Sequence, residues 1–550
     1  MKINAPQTII TQFKTQYRVG LIFLLLLFPM TLMAKNYLLL SSEKDGRNYK
    51  NSAVVIEVDQ NKEMAQLDLG TSYKIPGNFI LTKDKSQSYF YQQTSKHKAS
   101  LKVFDNQDQS LKYTLDIGQI DYAIDNLEVF TFFDVSSDFS KLYIQTNEKK
   151  VRNIMVFDNK TGALLKKIPL IKAKSYSYLS QNGDYIFTKY LAKGILSIHG
   201  TKSLNKVTEF KLKSIRNHGE NYGKYIFNHH LVKYRNRKNT YKVEMINLEN
   251  LEKKRQDIIS DGKPIYVVDD INNHFYVAMR DVKTNELALM QLIEGQLKRI
   301  DTKGLKLYPK DIVFHENSDK LLIIGRKSNV VFDRSNPEQI IEMDLPFDIA
   351  STIWKPEDNL LFLREGSGSE VALFDTQSGN KIGRSGTGRA GVKFGKFMAS
   401  VAYSVAQYSI GYVAFAYGRT STEMMLNNNQ DKLYAINTKT NDVTQFMSEN
   451  LSGRKSIATG SGTAFIYQHQ QHNDSLFVLS SKKATVINDK DFSVAQQIKF
   501  DQLVGLDIED GVFFVNQNDQ INMYSMIDGL LISTLPVINN VKSIVSMPVE

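Results

Sequence analysis

A repeated hairpin pattern constrains the fold of this chain more than any other feature of its sequence. The stretch NIMVFDNKTGALLKKIPL (153–170) places a polar turn between two segments of apolar and polar alternation, the pattern of two short antiparallel strands. Similar stretches begin at 101, 243, 329, 370, 432 and 484, and weaker copies begin at 54 and 194. Most turns open with Asp or Asn, whose side chains bond their own backbone. The turn-opening residues are Asp59, Asp105, Asp158, His199, Asn247, Asp333, Asp375, Asn437 and Asn488.

These turns recur at a fairly regular spacing, apart from one gap of about double length between Asn247 and Asp333. The double gap predicts a further copy near residue 290, where ELALMQLIEGQLKRI begins at 286, and a last copy begins at 521. A second pattern, a polar turn followed by a strand such as KLYI, precedes most hairpins, as in SSDFSKLYIQT (136–146). Each period therefore holds four strands in meander order. Four-stranded units of roughly 40 to 50 residues are typical of β-propeller blades.

The sequence thus predicts an all-β protein, a β-propeller of about eleven four-stranded antiparallel blades. The segment 136–170 resembles the YVTN/WD40-like and quinoprotein-like propeller superfamily, whose blades read S-x-D-G-x-x-L-Y-V and then V-x-D-x-x-T-G. This resemblance extends at pattern level over most of the chain after residue 34. It implies the fold, whereas the single Trp354 argues against the eukaryotic WD40 subtype.

The number of blades and the two chain ends predict how the repeats are arranged. Eleven blades exceed the roughly 4 to 8 of most single rings, so two rings with an unplaced boundary are favoured, and one large or irregular ring is the alternative. The first repeat has no room for its first strand, while VKSIVSMPVE (541–550) follows the last hairpin without a partner. We expect this C-terminal strand to complete the N-terminal blade.

Residues 1–34 have a different character. Lys2, Lys14 and Arg18, with no acidic residue, precede the apolar run 19–34, which is typical of a cleaved export signal. An uncleaved anchor is the alternative, although the run is shorter than the roughly 20 residues that a spanning helix needs. The repeats would then occupy residues 35–550. The chain contains no cysteine, which excludes disulfides and Cys-linked lipid or haem.

One segment interrupts the periodicity. Residues 397–418 carry no charge and are flanked by basic residues, so 384–419 is a candidate insertion. The apolar positions of 397–418 fit the first hairpin of an ordinary blade, which is favoured, an amphipathic helix that contacts a membrane or partner, or a spanning helix. The flanking residues are candidates for binding an anionic surface or a partner: Arg384, Arg389, Lys393, Lys396 and Arg419.

Motifs for catalysis, metals and cofactors are weak or missing. There is no G-x-S-x-G elbow, and Gly386, Gly388 and Gly391 form G-x-G-x-x-G without the strand-turn-helix context of a nucleotide site. His469 and His472 have a spacing that metal ligands can use, but they lie in a polar turn. The sequence therefore assigns no catalytic, cofactor or metal residue, and no cofactor is expected.

The expected function is that of an exported, noncatalytic scaffold in the periplasm or outside a Gram-negative cell. The formal charge of +11 is spread along the chain, so we expect a protein or polysaccharide partner and no nucleic acid, with peripheral membrane contact through 397–418 as an option. The alternative is a propeller enzyme of the lactonase or quinoprotein-dehydrogenase type, whose site would lie in the central channel. Linear motifs cannot reveal such a site because its residues come from many blades.

Overall fold

The fold is known from a computed structural model, which describes residues 36–388 and 423–546, with short gaps inside these ranges. All regular structure in these residues is β-strand, and the strands form eleven four-stranded antiparallel sheets. This confirms the prediction of an all-β propeller with about eleven blades. We number the blades 1 to 11 and the strands β1 to β44 in chain order.

Each blade uses four strands that follow one another in the chain, with one exception in blade 1. Blade 1 contains β1 (Asn36–Asp45), β2 (Asn48–Glu57), β3 (Lys62–Tyr73) and β44 (Val541–Ser546). Blades 2 to 4 contain β4 (Asn78–Leu81), β5 (Gln87–Ser95), β6 (Lys98–Asp105), β7 (Leu111–Gly118); β8 (Phe133–Val135), β9 (Lys141–Glu148), β10 (Val151–Asp158), β11 (Leu164–Pro169); and β12 (Ser175–Leu179), β13 (Tyr185–Tyr190), β14 (Ile195–Gly200), β15 (Lys206–Lys211). Blades 5 to 7 contain β16 (Glu220–Tyr222), β17 (Tyr225–Tyr234), β18 (Arg237–Asn247), β19 (Lys253–Asp261); β20 (Ile265–Asp269), β21 (His274–Arg280), β22 (Leu287–Ile293), β23 (Gln296–Ile300); and β24 (Pro309–Phe314), β25 (Lys320–Gly325), β26 (Ser328–Asp333), β27 (Ile340–Asp344). Blades 8 to 11 contain β28 (Ile349–Lys355), β29 (Leu360–Glu365), β30 (Glu370–Asp375), β31 (Lys381–Gly386); β32 (Met424–Leu426), β33 (Lys432–Asn437), β34 (Asp442–Met447), β35 (Lys455–Ala458); β36 (Phe465–Tyr467), β37 (Ser475–Leu479), β38 (Lys483–Asn488), β39 (Ser493–Lys499); and β40 (Gln502–Asp507), β41 (Val512–Gln517), β42 (Gln520–Ser525), β43 (Leu531–Thr534).

The hairpin turns form as the sequence predicts. In the turn after β10, Oδ1 of Asp158 accepts hydrogen bonds from the N–H groups of Lys160 (3.0 Å) and Thr161 (2.8 Å), and Gly162 takes φ of +72°. The turn after β30 repeats this arrangement around Asp375. The short acceptor side chain fixes the first half of the turn, and glycine permits the left-handed residue that completes it.

Burial within a blade follows the position of the strand. The second and third strands are buried along nearly their whole length, as in β29 and β30, because both of their faces pack against neighbouring blades. The fourth strands are mostly exposed, as in β39. The two faces of each sheet are therefore covered by the blades on either side of it.

The apolar clusters show how the blades are connected. Each blade shares one cluster of buried side chains with the next, from blades 1 and 2 through blades 10 and 11. A further cluster joins blade 11 to blade 1, where Phe514 packs with Tyr37 and Ile544. These contacts form a single cycle of eleven blades. The two rings favoured from the sequence are not seen among the described residues, whose contacts fit the alternative of one large ring. The packing of adjacent sheets decides the size of a ring, and the number of repeats does not.

The two ends of the described chain meet in blade 1. Strand β44 pairs antiparallel with β1 at five positions, from Tyr37 opposite Ser546 to Ser41 opposite Val541. The side chains of Val541 and Ile544 are buried between blades 11 and 1. The C-terminal strand thus occupies the innermost position of the first blade.

One sequence interpretation differs from the structure in blade 9. Asn437 opens the turn between β33 and β34, the second and third strands, whereas the other marker turns within the described residues lie between third and fourth strands. KLYAIN (432–437) fits both patterns, which explains the error. The four strands of blade 9 come from Met424–Ala458, and the hairpin or helix predicted within 397–418 lies outside the described residues.

Candidate functional site

The structure places only one of the five predicted basic residues. Arg384 lies in β31, and its Nη2 pairs with Oε2 of Glu370 at 2.5 Å in the same blade, with both side chains well exposed. Arg389, Lys393, Lys396 and Arg419 lie outside the described residues, as do the candidate signal (1–34) and the segment 397–418. The charge of Arg384 is therefore already paired within its own blade.

The sequence assigned no site to the His469 and His472 pair or to the glycine motif at 386–391, and the described residues add little to either. The rings of His469 and His472 are 5.3 Å apart, but no group of three or more metal-ligating side chains occurs within the described residues. Gly386 ends β31 and Gly388 follows it, whereas Gly391 lies outside the described residues. Within the residues described, there is also no helix with the length and apolar character needed to cross a bilayer.

A hydrogen-bonded rim surrounds the point where residue 389 leaves the described chain. In antiparallel blades, the turns between second and third strands and the connections between blades lie at the same end of the sheets. We call this end of blades 8 to 10 the connection face; its segments are 365–370, 386–388, 423, 437–442, 458–465 and 479–483. Three of the turns accept the same backbone bond from the residue that follows the fourth strand of their own blade: Thr387 N–H to Ser369 O, Thr459 N–H to Asn441 O, and Phe500 N–H to Lys482 O.

Residues 387 and 388, the last ones described before the stretch 389–422, are fixed to blade 9. Nδ2 of Asn437 donates to Oγ1 of Thr387 at 2.9 Å and to its carbonyl oxygen at 3.2 Å, and Gly388 N–H donates to Oγ1 of Thr444 at 2.7 Å. Gly388 has φ of +76°, and a Cβ there would lie 2.5 Å from Oγ1 of Thr440. Only glycine fits this position without displacing the turn of blade 9.

Glu423, the first residue described after the stretch 389–422, is held by a buried cation. Arg364 in β29 has no exposed surface; its Nε and Nη2 donate to the carbonyl oxygen of Ile436 in β33 at 3.1 and 3.0 Å, and its Nη1 pairs with Glu423 at 2.5 Å. Burial lowers the pKa of the Arg364 guanidinium, and the carboxylate of Glu423 opposes this shift. Glu423 immediately precedes β32, so this ion pair fixes the start of blade 9 against blade 8.

Residues 387–388 and residue 423 lie close together. The hydroxyl of Thr387 donates to the carbonyl oxygen of Gly368, and a Cβ on Gly368 would collide with Nη2 of Arg364, which holds Glu423. We call the bonds that hold residues 387–388 and 423 the double clamp. Sequence reasoning missed it, because its members come from several separate strands and turns and no linear motif joins them.

The rim continues to blade 10. Gly462 N–H donates to Oδ1 of Asn441 at 2.9 Å, and both the N–H and the hydroxyl of Ser481 donate to the carbonyl oxygen of Ser461, at 3.3 and 2.8 Å. Two adjacent lysines, Lys482 and Lys483, lie on this face. The connection face thus presents polar backbone, hydroxyl groups and cations on loops that are fixed to one another.

A separate cavity of about 210 Å³ lies between blades 7 and 8. Its polar lining includes Lys320, whose Nζ donates to Oδ1 of Asn359 at 3.1 Å, and Asp333. Between blades 9 and 10, Lys432 pairs with Asp489 in a similar way at 3.3 Å. A lysine bonded to the next blade therefore occurs at both of these junctions.

Comparison with known proteins identifies no family for this chain. No protein-family model matches the chain, and no curated protein sequence is significantly similar to it. Among solved structures, it is similar to AztD from Citrobacter koseri (8% identity, 78% of this chain and 96% of that chain covered, TM-score 0.34) and to the dihydro-heme d1 dehydrogenase NirN (10%, 75%, 76% and 0.33). It is also similar to Hsv2 from Kluyveromyces lactis (10%, 67%, 98% and 0.30). At these TM-scores the similarities carry no argument about function, and the propeller assignment depends on the sheets themselves.

Proposed function

We propose that this chain is an exported, noncatalytic β-propeller scaffold that binds a protein or polysaccharide partner through its connection face. The observation that carries the proposal is the double clamp at residues 387–388 and 423. We take residues 389–422 to be an insertion, because a buried ion pair and side-chain hydrogen bonds fix the described chain on both sides of them to blades 8 and 9. Binding residues are commonly carried on loops that a rigid scaffold positions.

The sequence of the insertion supports a binding role. Residues 397–418 have no charge, and Arg389, Lys393, Lys396 and Arg419 flank them. Cationic flanks around an apolar segment favour an anionic polymer, an acidic protein surface or the headgroups of an anionic membrane. The proposed location is the periplasm or cell exterior, because residues 1–34 have the pattern of an export signal.

Deleting the insertion tests this function directly. Because the clamp brings residues 388 and 423 close together, a short Gly-Ser linker can replace 389–422 without opening the blade. We expect the variant to keep its thermal stability but to lose partners captured from envelope fractions. A control in which the exposed Glu449 and Asn450, at the opposite end of blade 9, are replaced by Gly and Ser should keep them. Identical partner sets for all three proteins would refute the proposal.

Two further measurements separate the alternatives. Flotation with anionic liposomes identifies membrane contact if it depends on 389–422. Metal analysis and the visible spectrum of purified protein test the enzyme alternative, because stoichiometric calcium or a bound quinone would favour a lactonase or quinoprotein type over a noncatalytic scaffold.

A further inference from the structure

Blade 10 contains an unusual pair of cations on the connection face. Lys483 begins β38 and Lys499 ends β39, and they are direct cross-strand partners. Across all the strand registers of the described residues, this is the only position where two side chains of like formal charge stand opposite each other. Directly opposed like charges destabilise a sheet. The position therefore has a cost that blade packing does not explain.

No carboxylate compensates this pair within the described part of the chain. Neither lysine forms an ion pair there, although many ion pairs involve other residues of the same part. Lys483 is half-buried, and burial together with the charge of Lys499 lowers its pKa. The unfavourable interaction is thus electrostatic and would be relieved by a negative charge.

The loop beside Lys483 has the composition of an anion site. Gly460 has φ of +112°, and a Cβ there would lie 3.0 Å from both Cε of Lys483 and Oγ of Ser480, and 3.6 Å from Nζ of Lys483. The side chain of Lys483 therefore lies across a glycine in the sequence TGSGT (459–463). Among the described residues, the N–H groups of Gly460 and Ser461 have no acceptor. Unpaired backbone N–H groups beside a cation are what oxyanion sites use.

We propose that Lys483, Lys499 and the loop 459–463 form a binding site for an oxyanion, a phosphate, sulfate or carboxylate group. The two ammonium groups supply the charge, and the loop supplies neutral donors at one end. The site lies on the face through which the scaffold is proposed to bind its partner, but it depends on blade 10 and the loop that joins it to blade 9, not on the insertion.

Calorimetric titration of the full chain with inorganic phosphate, at constant ionic strength set with chloride, tests the site. We expect one phosphate per chain, with affinity reduced roughly tenfold in Lys483→Gln through loss of a charge-assisted hydrogen bond. Lys490→Gln is the matched control, since Lys490 lies at the other end of the same hairpin in an exposed ion pair with Asp474, and its affinity should stay within about twofold of wild type. Circular dichroism checks that each variant is folded.

The outcomes separate this site from the scaffold function and from its ligand classes. A response to phosphate but not acetate assigns the site to phosphate or sulfate groups, and a response to both assigns it to carboxylates as well. Absence of phosphate binding by the wild type, or full binding by Lys483→Gln, overturns the site. Phosphate binding that survives replacement of 389–422 while partner capture is unchanged would refute the scaffold proposal but leave the site intact.

Discussion

Removal of the C-terminal strand is expected to open the ring at blade 1. A chain ending at residue 540 loses the five positions of pairing between β44 and β1 and the buried side chains of Val541 and Ile544, which are 4% and 2% exposed. Replacing a buried Ile with Ala alone costs about 2 to 5 kcal/mol. Truncation should cost at least this much, because it also uncovers Tyr37 and Leu39 in the same cluster. Since domains are stable by only about 5 to 15 kcal/mol, the loss should be large.

Urea denaturation of the full chain, the chain ending at 540 and the Ile544→Ala variant measures these costs. The truncated chain should be the least stable, and Ser546→Ala should behave as wild type, because it removes no buried apolar group. Adding a synthetic peptide of residues 541–550 should restore stability, whereas a scrambled peptide should not. Equal stability of the truncated and full chains, or no effect of the peptide, would refute ring closure by β44.

Three other perturbations test how the blades are held. Arg364→Met should lower the free energy of unfolding by about 3 kcal/mol in urea denaturation, because it leaves a buried carbonyl and a carboxylate unpaired. Arg384→Met removes an exposed ion pair and should cost less than about 1 kcal/mol, so equal costs would contradict the buried clamp. Gly46→Ala places no atom within 4 Å of the new Cβ, so it should cost only the energy of a left-handed alanine, about 1 to 2 kcal/mol. Gly162→Ala adds a contact of 2.6 Å with an aromatic ring and should lower the melting temperature further, and the reverse order would refute this reasoning. A serine hydroxyl lowers the pKa of Asp138 from 3.8 to about 2, so the stabilising contribution of this carboxylate is complete above pH 4 and is lost as the pH falls toward 2. The difference in melting temperature between wild type and Asp138→Asn should shrink over this range, and a constant difference would disprove the prediction.

The sequence by itself determined the blade. Its period of alternation, the Asp and Asn turns and the glycine at 162 act within a few residues, so the hairpin around Asp158 could be predicted and forms as expected. The same local rules failed at KLYAIN (432–437), because a second strand and a third strand present the same alternation. Whether a strand becomes the second or the third of its blade depends on which strand lies outermost, and the neighbouring sheets decide that.

Only the tertiary structure decided the ring and the connection face. Whether eleven sheets form one cycle or two depends on the packing of adjacent faces, such as Phe514 against Tyr37, which are separated by almost the whole chain. The clamp of Arg364 on Ile436 and Glu423, and the opposition of Lys483 to Lys499, likewise bring together residues that no short motif contains. Local hydrogen bonds and steric limits are encoded in adjacent residues, whereas burial and charge opposition exist only after distant strands have packed.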